Sequence, residues 1–146
     1  MELRIKRLDE QAKLPVRATA GSAGMDLHAR LDEPLVVEPG GRVLVPTGIA
    51  VALPSAETVG LVFARSGLAV KKGLTLSNGV GVIDSDYTGE IKVGLVNLGT
   101  EAYHIQPDER IAQFVVMPVC LPMIREVSVL EETGRGSGGF GSTGAV

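Results

Sequence analysis

Apolar and polar residues alternate in short runs along most of this chain. Leu3 and Ile5 flank a charged neighbour, Val43 and Val45 recur at every second position, and Ile49, Val51 and Leu53 do the same. A period of two is the pattern of strands with one buried face. Breakers interrupt it at strand-length intervals, among them Pro15, Pro34, Pro39-Gly40-Gly41, Pro46, Pro54, Gly73, Gly79, Gly89, Gly99, Pro107 and Pro118. Arg110 to Val116 is almost continuously apolar and predicts a central strand covered on both faces, with Gln113 as its odd member. A buried amide needs partners, so Gln113 either ties backbone together or reaches into a site. Ile91 to Asn97 predicts the returning strand of a hairpin opened by the glycine-rich stretch before it. The pattern holds no long helical period. One short helix is expected after Arg65, with Ser66 as its cap, Leu68 and Ala69 facing the core, and Gly73 as its stop. Its start is either a simple corner or, beside the guanidinium, an anion site.

Composition sharpens this to an all-β reading. Hydrophobic residues make up 45% of 146 positions but aromatics only 3%, without tryptophan, so the core is built from branched aliphatics, which favour strands. Nineteen glycines and eight prolines fit a sandwich or jelly roll better than a helical bundle. The length suits one domain. From Glu131 the character changes: six of the last sixteen residues are glycine. We therefore expect a β domain over residues 1–130 and a flexible tail over 131–146.

A formal charge of -3 argues against a broad basic surface for nucleic acid. The single Cys120 cannot form an internal disulfide, the N-terminus lacks a signal-peptide core, and no run approaches membrane-spanning length, which together point to the cytoplasm.

The chemistry concentrates between Asn78 and Gly89, where Asn78, Gly79, Gly81 and Gly89 supply positions for positive φ or close backbone approach around Asp84, Asp86 and Tyr87. The stretch is either an ordinary glycine-rich turn or a backbone shaped to a ligand. His28 and His104 have no His or Cys neighbours, which disfavours zinc and makes each a surface or satisfied residue. No nucleophile elbow is present. The tail matches G-x-G-x-x-G at Gly136, Gly138 and Gly141, but no helix can follow, and Ser142 stands where a P-loop needs lysine. It does carry an arginine, a phenylalanine and hydroxyls, a kit for gripping a ring and phosphates. A carboxylate in a glycine-lined cleft can take a proton from an attacking water while arginine, N–H groups and magnesium hold phosphoryl charge. Taken alone, the residues describe a β protein with a phosphate and ring site.

Five segments in order carry a family resemblance: Ala23-Gly24-Met25-Asp26-Leu27, Arg65-Ser66-Gly67-Leu68-Ala69, Asn78 to Gly89, Arg110-Ile111-Ala112-Gln113, and Arg135 to Gly144. They resemble the five motifs of the trimeric dUTP diphosphatases (dUTPases), over nearly the whole chain. The resemblance implies a distorted, β-clip-like jelly roll and a homotrimer whose active sites draw on all three subunits. It also implies magnesium-assisted hydrolysis of dUTP to dUMP and pyrophosphate, which limits uracil in DNA and supplies dUMP. Under it, Asp84 activates the water that attacks the α-phosphorus, and Tyr87 packs on deoxyribose where a 2'-hydroxyl would clash. Asn78, Gly79, Val82, Ile83 and Lys92 hold uracil, largely through main-chain groups. Arg65, Ser66, Gly67 and Gln113 contact phosphates, and Asp26 supports the arginine and the metal's water shell without ligating the metal. Arg135 clamps a phosphate, Phe140 covers the uracil ring, and Gly141, Ser142 and Thr143 approach the γ-phosphate.

Asp108 stands where the fourth motif usually has glycine, and Ala64 where proline often precedes the arginine; local adjustment is expected at both, away from the chemistry. Two rivals share the pattern. A dCTP deaminase of the same fold relies on a glutamate in the strand after the Ile-Asp turn, and Ile91 to Val96 has no carboxylate. A catalytically inactive dUTPase-like binding protein would not need the intact Asp84, Tyr87, Arg135 and Phe140.

Overall fold

A computed structural model describes residues 1–139. It contains ten strands and one helix among these: β1 (Arg4–Arg7), β2 (Met25–His28), β3 (Leu35–Val37), β4 (Arg42–Ala52), β5 (Thr58–Ala64), α1 (Ser66–Lys72), β6 (Leu74–Leu76), β7 (Gly81–Ile83), β8 (Glu90–Asn97), β9 (Tyr103–Ile105) and β10 (Arg110–Pro118). They form two four-stranded sheets, ordered β1-β4-β8-β6 and β2-β10-β5-β7, with β3 and β9 as a separate pair. All pairings are antiparallel. The architecture is the all-β jelly roll expected from the strand pattern.

The core joins both large sheets. Val45, Ile49 and Val51 of β4 and Ile91, Val93 and Leu95 of β8 meet Leu27 of β2 and Ile111 and Phe114 of β10 in one buried cluster. Strand β8 obeys the period of two, burying Ile91, Val93, Leu95 and Asn97 and turning Lys92 outward. Asn97 is fully buried, and its amide donates to Val37 O and Glu101 O and accepts from Gly99 N–H, so the cost of burying it is offset. Strand β4 alternates only to Pro46; beyond it, Thr47 to Val51 are all buried. Between Pro46 and Ala50 the strand advances four positions while its partner goes only from Lys92 to Glu90, a bulge that breaks the alternation.

Helix α1 lies where expected, but its cap differs. Arg65, in extended conformation, is the N-cap residue without a side-chain capping bond, and Ser66 is the first helical residue. Leu68 packs partly against the core, and Gly73 closes the helix in the left-handed conformation.

The predicted hairpin does not form. Strand β7 pairs with β5, whereas β8 pairs with β4 and β6, so residues 84–89 carry the chain from one sheet to the other. The three-residue β7 lies along the seven-residue β5, and the eight-residue β8 lies between β4 and β6.

Asp108 is the one non-glycine residue with positive φ among those described, at 62°. It adopts the left-handed conformation that glycine would take there, and no displacement of the turn is needed. Left-handed backbone is costly for residues with a Cβ, least so for Asn and Asp. Asp108→Gly is therefore expected to raise stability by up to about 1 kcal/mol, and Asp108→Ala to lower it by about as much, in urea unfolding. The exposed ion pair with Lys13, at 3.4 Å, offsets little of the gain.

After Pro118 the described chain has neither strand nor helix. Met123, Ile124, Val129 and Leu130 are at least four-fifths exposed, so an apolar arm leaves the body well before the glycine-rich segment begins.

Candidate active site

The expected site residues separate into two groups. The first lies at one end of the β2-β10-β5-β7 sheet. A bulge in β10 sets Arg110 opposite His28 and Ala112 opposite Leu27, so Ile111 and Ala112 both turn inward. Arg110 and Gln113, three residues apart, consequently share the outer face with Asp26, the register partner of Gln113. Asp26 is nearly buried and accepts from two guanidinium groups, Arg65 Nε and Arg110 Nη1, each at 3.1 Å. Arg65 Nη1 donates to the Arg110 carbonyl at 3.1 Å. The guanidinium of Arg65 is thus held from two sides with its remaining N–H groups free for an anion, beside the unpaired amides of the first helical turn. Gln113 Nε2 reaches Ala64 O at 3.4 Å, a long contact. Gln113 passes close over Gly24: a Cβ on that glycine would lie 2.9 Å from Gln113 Oε1.

The second group lines a cavity of about 430 Å³ where the chain crosses between sheets. Val82, Ile83, Asp84, Tyr87 and Lys92 meet there as expected, joined by Leu44 and Glu90. The Tyr87 N–H donates to Asp84 O at 3.1 Å, closing a turn with Asp86 at its third position. That turn separates the two aspartates: Asp84 lines the cavity and Asp86 does not. The Tyr87 hydroxyl donates to Glu90 O at 2.8 Å, and this return is possible only over Gly89, where a Cβ would stand 2.6 Å from the hydroxyl oxygen. Gly89 and Gly81 serve through their small size, and of the stretch only Gly79 has positive φ, at 74°. Asn78 and Gly79 lie outside the cavity lining.

Leu44 and Glu90 were not singled out from the sequence. Leu44 is an apolar side chain at an outward position of β4, 63% exposed. Glu90 Oε1 accepts from Gly48 N–H at 3.0 Å, and Oε2 lies 3.5 Å from Lys92 Nζ. Its carboxylate therefore ties the β4 bulge to Lys92.

No hydrogen bond or ion pair links the two groups among the described residues. Arg135 Nε donates to Gly138 O at 2.8 Å within its own turn and makes no hydrogen bond or ion pair with either group among the described residues. Phe140, Gly141, Ser142 and Thr143 lie outside the described residues.

His104 is exposed, as expected, whereas His28 is partly buried and not fully satisfied. Its Nδ1 is the one buried side-chain N or O atom without a hydrogen-bond partner among the described residues. Burial holds its pKa below the ordinary 6.5, against the opposing pull of Asp26 and Asp108. The folded protein then binds this proton less readily than the unfolded chain, so stability present above pH 6.5 is lost as pH falls through the window below it. His28→Gln is expected to flatten the fall in melting temperature between pH 7 and pH 5.

Among the described residues, no three His, Cys, Asp or Glu side chains cluster to hold a metal. Asp26 has both oxygens committed to arginines, whereas the Asp84 carboxylate makes no hydrogen bond or ion pair among the described residues. This arrangement suits a metal ion that arrives on a polyanionic ligand better than one caged by side chains.

Fold and site together define a class: an all-β protein with an arginine-lined anion shelf on one sheet and a carboxylate beside an aromatic ring on the crossover. Residues 10–144 match the dUTPase family model. The chain is 55% identical over 138 residues to the deoxyuridine 5'-triphosphate nucleotidohydrolase of Desulfitobacterium hafniense, spanning 94% of this chain and 91% of that one. It is 47% identical to the enzyme of the same name from Acinetobacter baumannii, over 99% of each. The Staphylococcus bacteriophage 80alpha dUTPase, solved with dUPNHPP, superposes with a TM-score of 0.88 at 29% identity, covering 98% of both chains. A mutant dUTPase of phage phi11, whose structure shows coordination of a structural Mg(II) ion, aligns with a TM-score of 0.80 at 25% identity over 90% of this chain and all of that one. The chain belongs to the dUTPase family.

Proposed function

We propose that this protein hydrolyses dUTP to dUMP and pyrophosphate, as a homotrimer, with Asp84 as the general base. The observation that carries the reading is the cavity in which an uncommitted carboxylate, Asp84, stands beside the ring of Tyr87.

A water between Asp84 and the α-phosphorus gives its proton to the carboxylate as its oxygen attacks. The bond from the α-phosphorus to the oxygen bridging to the β-phosphorus breaks, and pyrophosphate leaves. Charge developing on the phosphates is met by Arg65, whose orientation Asp26 and the Arg110 carbonyl maintain, and by Ser66, Gly67 and Gln113. A magnesium ion held by the triphosphate and water, with no side chain as its ligand, would supply further charge neutralisation.

Uracil selection falls to the backbone around Asn78, Gly79, Val82 and Ile83. Cytosine reverses the donor and acceptor pattern at two positions of the pairing edge, and a fixed backbone array then leaves buried groups unpaired, a mismatch that can discriminate by roughly 10⁴-fold. Thymine's methyl group collides with a closely approaching backbone.

The separation of the two groups supports a site shared between copies, and the number three is what the family resemblance implies. A single chain presents the anion shelf and the Asp84 cavity without joining them, so a complete site combines one subunit's shelf with another's cavity. The exposed apolar arm beyond Pro118 is surface that a second copy can cover. Domain boundaries near residue 130 and a cytoplasmic location belong to the same reading.

Glu90 bears on the deaminase alternative, because it begins β8 and faces the Asp84 cavity. Its carboxylate is already engaged by Gly48 N–H and by Lys92, which leaves it poorly placed to act as the proton shuttle of a deamination.

A panel of dUTP, dCTP, dTTP and UTP, with and without magnesium, tests the reading. Magnesium-dependent pyrophosphate release from dUTP is expected, with UTP slower by at least about 10²-fold because its 2'-hydroxyl meets Tyr87. Equal turnover of UTP removes the Tyr87 role, ammonia from dCTP identifies a deaminase, and tight dUTP binding without turnover identifies a binding protein.

A further inference from the structure

Tyr103 lies outside the five motifs, and Glu109, between Asp108 and Arg110 of the fourth, has no role assigned above, yet the two meet next to Arg110 of the anion shelf. Strand β9 belongs to the small β3-β9 sheet, but the Tyr103 hydroxyl leaves that sheet to donate to Glu109 Oε1. The other carboxylate oxygen, Oε2, accepts from Gln106 N–H at 2.8 Å, and Glu109 N–H donates back to Gln106 O at 3.1 Å. The turn is also pinned to the end of β2, since Asp108 N–H donates to Ala29 O at 2.9 Å and Ala29 N–H to Glu109 O at 2.8 Å. The next residue is Arg110, whose carbonyl receives Arg65 Nη1 and whose side chain meets Asp26.

We propose that Tyr103 and Glu109 form a positioning pair that sets where Arg65 presents its guanidinium to the phosphates. The inference rests on the reading of Arg65 as a phosphate contact. The Glu109 carboxylate is engaged on both oxygens by its own turn and by Tyr103, so it acts as a brace. Moving the turn moves the Arg110 carbonyl, one of the two acceptors that hold Arg65. The hydroxyl is a permanent donor: burial first, then the hydrogen bond and charge of Glu109, raise the Tyr103 pKa to about 12. The ring of Tyr103 packs against the core whether or not the hydroxyl is present, so the oxygen has a separable role.

Tyr103→Phe removes only that oxygen. In the full-length protein it is expected to lower kcat/KM for dUTP about tenfold and to weaken inhibition by pyrophosphate by a similar factor. Inhibition by deoxyuridine, which carries no phosphate, should stay the same. Tyr103→Phe added to Glu109→Ala should cost no more than Glu109→Ala alone, since the two act as one unit. Unchanged kinetics in Tyr103→Phe overturn the proposal. So does an equal loss of deoxyuridine and pyrophosphate inhibition, which is the mark of general loosening, or full additivity in the double variant. A wild-type protein inert toward dUTP overturns the parent reading instead, and is seen before any variant is made.

Discussion

Asp84→Asn is expected to lower turnover of dUTP by about 10³-fold while leaving affinity for a non-hydrolysable dUTP analogue within a few-fold of wild type. The substitution keeps the shape of the side chain and removes its capacity to accept the water proton. Asp84 makes no hydrogen bond or ion pair with other described side chains, so its replacement breaks no structural contact, and the melting temperature should hardly change. Steady-state kinetics and calorimetric titration separate the outcomes. Loss of binding in parallel with turnover would mean that Asp84 holds the substrate and that the proton goes elsewhere. Asp86→Asn is the natural control, because the turn directs that side chain away from the cavity. It should retain most activity.

Truncation after Glu132 should reduce turnover by at least about 10²-fold and leave the proposed trimer intact. The deletion removes Arg135 and the segment carrying Phe140, Gly141, Ser142 and Thr143, which we assign to covering the uracil ring and gripping the γ-phosphate. It spares Met123, Ile124, Val129 and Leu130, the apolar side chains available to bury against a second copy. Size-exclusion chromatography with light scattering and a pyrophosphate assay read the two effects independently. Full activity in the truncated protein would remove the tail from the mechanism, and dissociation to monomers would move the assembly contact beyond residue 132.

The strands that were legible in the sequence are those that obey one rule throughout. Strand β8 alternates without interruption, and β10 is apolar along its buried length, so period and composition sufficed for both. Bulges escaped the pattern. The β10 irregularity puts Arg110 and Gln113 on one face at a spacing that strict alternation assigns to opposite faces, and nothing local in Arg-Ile-Ala-Gln announces it. Strand partnership escaped as well. Asn78 to Gly89 has the turn residues of a hairpin, but which sheet each flanking strand joins depends on β4 and β5, far off in sequence. The site residues were named from motif resemblance, and the structure added what motifs omit. Glu90 and Leu44 enter through the walls of the cavity, and the Tyr103–Glu109 brace enters through a turn whose partners lie three residues apart and in another sheet. The sequence predicts positive φ or close backbone approach to a ligand at its glycines, whereas Gly24 and Gly89 matter for the protein's own side-chain atoms that pass over them.

The crossover at residues 84–89 has a mechanical consequence. Because Asp84 and Tyr87 ride on the one span that joins β7 to β8, their spacing from Lys92 is set by how the two sheets are seated on each other. Gly60 is the register partner of Ile83 and lies under Phe114, whose ring atoms would stand 2.6 Å from a Cβ at that glycine. A methyl group added there pushes on β7 from within the core and is transmitted along the span to the carboxylate. With Asp84 as the proposed general base, turnover is thus expected to gauge interior packing and to respond to changes too small to unfold the protein.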